Sequence, residues 1–180
     1  MSLYNQNDNI SLIWAKMLTG NKEAYAQIYE IHIQSMFRYG LQFSSDPELV
    51  KDAIQDVFVN IYSHRHKLPM PDNIKLYLFI TLKNILLNTL KREARYINIE
   101  NAQDHIPHLS AEDIHIIEED KLVTQQRFDC ILNQLTPHQR EIIHCRFVEN
   151  MSIGNIAILM NINYQTVANI IQRIIRKIKS

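Results

Sequence analysis

Ile and Leu recur at steps of three and four through most of the chain, and no segment alternates cleanly enough to make a strand. The last stretch is the plainest case. Val167, Ile170, Ile171, Ile174, Ile175 and Ile178 fall on one side of a helix, with Gln165, Thr166, Asn169, Gln172, Arg173 and Arg176 on the other. Only three Gly and five Pro interrupt such runs in 180 residues, so the chain is predicted to be all-α. With 46% hydrophobic and 21% charged residues it is rich enough in apolar side chains for packed cores and unlike a disordered chain.

Net charge is zero, which argues against a nucleic-acid protein until the charges are located. Residues 97–120 hold Glu100, Asp104, Glu112, Asp113, Glu118, Glu119 and Asp120 without a Lys or Arg, whereas residues 150–180 hold Arg173, Arg176, Lys177 and Lys179 without an acid. The acidic stretch also carries Pro107 and Ser110 and lacks sustained periodicity. It reads as an acidic, flexible linker between two small helical domains, residues 1–96 and 121–180. Cys130 and Cys145 cannot form a disulfide framework, and residues 1–9 lack the basic start and apolar core of a signal peptide. No apolar run is long enough to span a bilayer, so a cytoplasmic protein is expected.

In the first domain the punctuation predicts four helices. Asn9 or Ser11 would cap a short one carrying Leu12, Ile13 and Met17 and ending at Gly20. A second would run from Asn21 to about Ser44 with Ala24, Ile28, Ile31 and Met36 inward. Asp46 and Pro47 begin a third, in which Val50, Ala53, Ile54, Val57, Phe58 and Ile61 form the core face and Asp52, Gln55, Asp56 and Val59 an adjacent stripe. After a loop containing Pro69 and Pro71, a fourth helix over 74–95 buries Leu76, Phe79, Ile80, Leu86, Leu87 and Leu90. Thr81, Asn84, Asn88, Lys91, Arg92 and Arg95 line its other side, which becomes basic toward the C-terminus. Such a stripe suits a phosphate backbone, and it is equally what the helix dipole favours in a last turn.

In the second domain a helix over 121–135 leads to Thr136 and Pro137, which start another carrying Ile142, Ile143, Arg146 and Phe147 as far as Glu149 and Asn150. Ser152 opens a third helix with Ile153, Ile156, Ala157 and Leu159, and the chain turns at Asn161, Ile162 and Asn163 before the last helix starts at Tyr164. Two short helices joined this way have the form of a helix-turn-helix, though a plain helical hairpin shares the same spacing.

Residues 52–62, DAIQDVFVNIY, resemble the second conserved region of the extracytoplasmic-function sigma factors of the sigma-70 family, and residues 77–84, YLFITLKN, through Arg92 resemble the next stretch. Residues 135–140, LTPHQR, residues 151–157, MSIGNIA, and then Thr166, Val167 and Arg173 resemble the fourth region. The order and spacing of these blocks match over most of the chain, and the few residues before the first helix suit the minimal two-domain members.

The resemblance implies an alternative sigma factor that joins core RNA polymerase through its beta-prime and beta subunits, recognises and melts promoter DNA, and answers to an anti-sigma factor. It implies neither enzymatic activity nor a cofactor. It assigns Asp52, Gln55, Asp56, Phe58 and Val59 to the polymerase interface or its support; Tyr77, Lys83, Asn84, Asn88, Lys91, Arg92 and Arg95 to the minus-ten element; and Gln165, Thr166, Asn169, Gln172, Arg173 and Arg176 to the minus-thirty-five element. The chain departs from the family where Asn155 replaces a common Glu, Asn88 a frequent Asp, Tyr77 a common Trp, and Ala168 and Ile170 the usual basic residues. A helix-turn-helix regulator acting without polymerase would leave the 52–62 motif unexplained. An enzyme built on His105, His108, His115, His144 and Cys145 would lack any recognised ligand spacing.

Overall fold

The structure, a computed structural model, describes residues 3–97 and 135–179. The linker expected beyond residue 97 and most of the helix expected over 121–135 lie outside the described residues. Contacts divide the chain into two compact units, Met1–Pro107 and His108–Ser180. All regular structure among the described residues is helical.

The first unit contains α1 (Leu3–Leu18), α2 (Lys22–Gly40), α3 (Pro47–His64), a 3-10 turn (Arg65–Lys67) and α4 (Ile74–Ile97). Side-chain caps fix their starts. Asn21 Oδ1 accepts from the Ala24 amide at 2.7 Å, and Asn73 Oδ1 from the Leu76 amide at 2.9 Å. Asp46 accepts from the Glu48 and Leu49 amides at 2.9 and 3.4 Å, with Pro47 in the first turn. Each cap satisfies backbone donors that the helix cannot. Gly20 adopts φ +93° after α1, a conformation that suits a residue without a Cβ.

Two boundaries differ from the sequence expectation. Helix α1 begins at Leu3, because no Gly or Pro stands between Leu3 and Ser11 to stop it; Asn9 and Ser11 are interior residues rather than caps. Helix α2 ends at Gly40 and continues as a turn rather than reaching Ser44. A Cβ on Gly40 would clash with Val50 Cγ1, so this position needs a glycine for α2 to approach the start of α3 as it does.

Helix α2 packs against α1, α3 and α4, and α3 packs against α4. Trp14, Met17, Ile28, Met36, Tyr39, Val57, Leu78, Phe79, Leu82 and Leu86 are fully buried. Tyr39 stacks on Phe79 with ring centroids 4.4 Å apart, and Trp14 meets Tyr77 edge-on at 5.7 Å. Trp14 and Leu82 are core residues beyond those expected, while the expected Leu12 and Ile31 are exposed and Ile80, Leu87 and Leu90 half-buried.

The second unit contains α5 (Pro137–Ile143), a π-helical turn (His144–Val148), α6 (Ile153–Met160) and α7 (Tyr164–Lys179). Thr136 and Gln139 form a reciprocal capping box on α5. Ser152 caps α6 through the Asn155 amide at 3.1 Å, and Asn163 caps α7 through the Thr166 amide at 2.7 Å. Asn161 is left-handed at φ 52°, and the Ile162 amide donates back to the Ala157 carbonyl at 3.0 Å, which ends α6 sharply. Helices α6 and α7, packed together across this turn, form the helix-turn-helix. Leu135, Ile143 and Ile174 cluster with Ile170 against them, and Ile156, Val167 and Ile171 are buried.

The α-helix expected to run on to Glu149 instead widens at His144. A π turn holds extra backbone per turn and rotates the succeeding residues about the axis. Cys145 is buried, while Phe147 and Val148, the first of them expected in the apolar set, face out at 54% and 49% exposure. His144 Nε2 lies 3.6 Å from Glu149 Oε1, a carboxylate otherwise enclosed by protein. Ile175 is half-buried rather than core, and the Ile178 side chain lies outside the described residues.

His32 generates a pH prediction. It is 5% exposed on α2, its Nε2 has no hydrogen-bond partner, and burial, with Lys75 adding repulsion, lowers its pKa from 6.5 to about 4. Above pH 6.5 neither the folded nor the unfolded chain carries this proton. Below it the unfolded chain takes the proton first, so stability falls as pH drops from 6.5 through about 4, by up to about 3 kcal/mol from this group. Urea denaturation across that range should show a shallower loss for His32→Gln than for the native chain. Parallel curves would remove His32 as the cause.

Candidate nucleic-acid and partner interfaces

Burying one face of a helix decides what the other can offer. In α3, Val50, Ala53, Ile54, Val57, Phe58 and Ile61 are buried, which turns Asp52, Gln55 and Asp56 outward, all exposed. Val59, 50% exposed, adds an apolar patch to that surface. Phe58 departs from the surface set: at 2% exposure it sits edge-on to Tyr25 at 6.0 Å and Tyr29 at 4.9 Å. It supports the outward stripe from beneath and cannot itself touch a partner.

Asp46, Glu48, Asp52, Gln55 and Asp56 on the α3 side face Thr89, Arg92 and Glu93 of α4 across an open groove. Five carboxylates against one guanidinium make it an acidic surface. Arg92 therefore stands at the edge toward α3, apart from the rest of the basic stripe.

On α4 the core residues Leu78, Leu82 and Leu86 leave Asn84, Asn88, Lys91 and Arg95 exposed along the opposite side. Tyr77 and Lys83 are half-buried. Tyr77 is held by its contact with Trp14 and accepts at its carbonyl from the Thr81 hydroxyl at 2.8 Å. Lys83 Nζ lies 5.8 Å from the Phe43 ring centre. The asparagines present donors and acceptors in mid-helix, and the cations lie one to three turns later.

On α7 all six expected side chains, Gln165, Thr166, Asn169, Gln172, Arg173 and Arg176, are exposed. Gln165 Nε2 donates to Asn169 Oδ1 at 3.0 Å, one helical turn on. Tyr164, 58% exposed at the head of the helix, belongs to this surface too. The sequence signal for it is slight: it comes after the Asn163 cap and before the buried stripe that starts at Val167.

Among the described residues no group of three or more His, Cys, Asp or Glu could hold a metal ion. His105, His108 and His115 lie outside the described residues. No helix among those described is long and apolar enough to cross a membrane.

Two family models match this arrangement in order: sigma-70 region 2 over residues 28–96 and sigma-70 region 4 over residues 125–178, together more than half of the chain. The chain belongs to the sigma-70 family. It is 20% identical over 158 residues to the ECF RNA polymerase sigma factor SigM of Bacillus subtilis (strain 168), an alignment covering 86% of this chain and 92% of that protein. Its fold matches CnrH, solved in complex with the cytosolic domain of CnrY, with TM-score 0.63, 19% identity and coverage of 94% of each chain. It also matches the sigma factor RpoE, solved in complex with the anti-sigma factor NepR from Bartonella quintana, with TM-score 0.62, 18% identity and coverage of 86% of this chain and 94% of that one. The protein is thus an extracytoplasmic-function-type alternative sigma factor that directs transcription initiation, and core RNA polymerase and promoter DNA are its partners. The family is regulatory in character.

Placing Phe58 under the α3 stripe leads to a direct comparison. Phe58→Ala should lower stability by about 3–5 kcal/mol, as loss of a buried aromatic does, whereas Asp56→Ala should stay within about 0.5 kcal/mol. Chemical denaturation of both variants checks this; equal effects would contradict the assignment of one to support and the other to surface.

Proposed function

We propose that promoter opening is divided between the two units. Residues 1–96 act as the sigma region 2 domain, and residues 121–180 as the region 4 domain. Residues 97–120 are the acidic connection between them. The outward stripe of α3, Asp52, Gln55, Asp56 and Val59, meets the beta-prime subunit of polymerase, with Phe58 holding it in shape. Asn84 and Asn88 take up bases of the minus-ten element, while Lys91 and Arg95 hold phosphates, with Arg92 and the half-buried Tyr77 and Lys83 at the margin. Helix α7 lies in the major groove of the minus-thirty-five element, with Gln165, Thr166, Asn169 and Gln172 toward bases and Arg173 and Arg176 toward the backbone.

The observation that carries this reading is the exposure of Asn84, Asn88, Lys91 and Arg95 along one side of a helix whose other side buries Leu78, Phe79, Leu82 and Leu86. Amides can hydrogen-bond the edges of bases that have left the stack, and captured bases cannot re-pair. Unstacking a base takes a few kcal/mol, and the contacts return about 1–3 kcal/mol per base, so capture can tip the balance toward the open state. Zero net charge is compatible with this role because polymerase supplies much of the nonspecific attraction to DNA. The protein acts in the cytoplasm, without catalysis or cofactor of its own. The complex of RpoE with NepR supports control by an anti-sigma factor here as well.

Asp56→Arg should weaken assembly with core polymerase while circular dichroism stays native; unchanged pull-down would contradict the α3 interface. Asn84→Ala should reduce permanganate reactivity of unpaired thymines and alter minus-ten preference. Arg173→Ala should weaken closed-complex binding more than melting, each lost contact being worth about 1–3 kcal/mol. If Asn84→Ala leaves the bubble intact and Arg173→Ala abolishes it at saturating protein, the division between α4 and α7 is wrong.

A further inference from the structure

The first two turns of α7 carry no cation. From Asn161 to Gln172 there is no Lys or Arg, and Ala168 and Ile170 are half-buried. Guanine is read most often by a bidentate Arg or Lys on its O6 and N7, and this surface has neither. What it has is a pair of exposed amides tied together, Gln165 Nε2 to Asn169 Oδ1 at 3.0 Å.

The tie has a chemical consequence. Each carboxamide brings one acceptor oxygen and two N–H donors. Joining them by one hydrogen bond uses one donor of one group and occupies the oxygen of the other. The pair keeps a free acceptor on one side chain and unused donors on both, and this holds whichever amide donates. A donor and an acceptor side by side complement the major-groove edge of adenine, whose N6 donates and whose N7 accepts. The tie also holds two side chains that would otherwise lose rotamer freedom on binding. Asn163, which accepts from the Thr166 amide at 2.7 Å, fixes the backbone of the same turn.

We infer that the Gln165–Asn169 pair is the specificity-determining element of α7 and reads an A·T pair in duplex promoter DNA, with Arg173 and Arg176 contributing affinity without sequence preference. This rests on the proposed placement of α7 in the minus-thirty-five major groove. Arg173 lies eight residues beyond Gln165, about 12 Å along the axis, so its charge falls on backbone past the bases that the amides face.

The test uses polymerase reconstituted with the full chain and a library of promoter duplexes randomised through the minus-thirty-five element. The native chain should enrich A·T at one position, with A·T→G·C there weakening binding about tenfold. Gln165→Ala and Asn169→Ala should each flatten that one position and leave the others ranked as before. Gln165→Arg should shift it toward guanine. Arg173→Ala should lower binding to all sequences alike. Enrichment of guanine by the native chain, or an A·T preference that survives both alanine variants, overturns the amide reading while leaving α7 as the duplex-binding helix. Absence of any sequence preference upstream, with Arg173→Ala also without effect, overturns the placement of α7 on DNA and the amide reading with it.

Discussion

A helix that buries Leu78, Leu82 and Leu86 has no choice but to turn Asn84 and Asn88 to the outside, and each outward stripe of this protein depends on constraints of that kind. The packing that enforces it is specific. Tyr39 stacks on Phe79 to bind α2 to α4, Trp14 braces Tyr77 from α1, and Gly40 lets α2 and α3 approach where any side chain would clash. The rotation of α3 and α4 about their axes is thereby set, and with it the direction of the carboxylates on one and the amides on the other. In the second unit Val167, Ile171 and Ile174 do the same for the outward side of α7.

Charge is distributed to match. The acidic groove between α3 and α4 repels phosphate, so this edge suits a protein partner, whereas the cations gather at the end of α4 and in the later turns of α7. Both groups of cations stand near helix C-termini, where the backbone carbonyls favour positive charge, so they are held without opposing the fold. A neutral total thus conceals two surfaces of opposite character.

Much of this was legible because it depends on short-range chemistry. Asp46 before Pro47, Thr136 before Pro137, Ser152, and the Asn161–Asn163 turn each announce a helix boundary through a cap that needs only neighbouring amides. The exposed stripes came from helical spacing alone. What spacing could not supply was anything that depends on a distant partner or on a change of helical pitch. The early start of α1 was hidden because Asn9 and Ser11 look like caps whether or not a helix is already running. The π turn at His144–Val148 cannot be seen in a 3.6-residue period, which does not reveal where the period changes, and Phe147, apolar in the sequence pattern, is exposed. Helical spacing puts Phe58 on the core face of α3, whereas the family resemblance groups it with the outward residues at the interface or its support; the Tyr25 and Tyr29 rings of α2 enclose it beneath them. The Gln165–Asn169 tie has the right spacing in sequence, but a one-turn separation does not say that two amides face each other.

The most direct measurement is run-off transcription with purified core polymerase and a genomic fragment library, with and without the full chain. Transcripts with discrete start sites that appear only when the chain is added, and that disappear when core is omitted, are the predicted result. A chain that binds the same fragments without core, while core plus chain yields no start-specific transcript, would contradict the account and leave a duplex-binding regulator in its place.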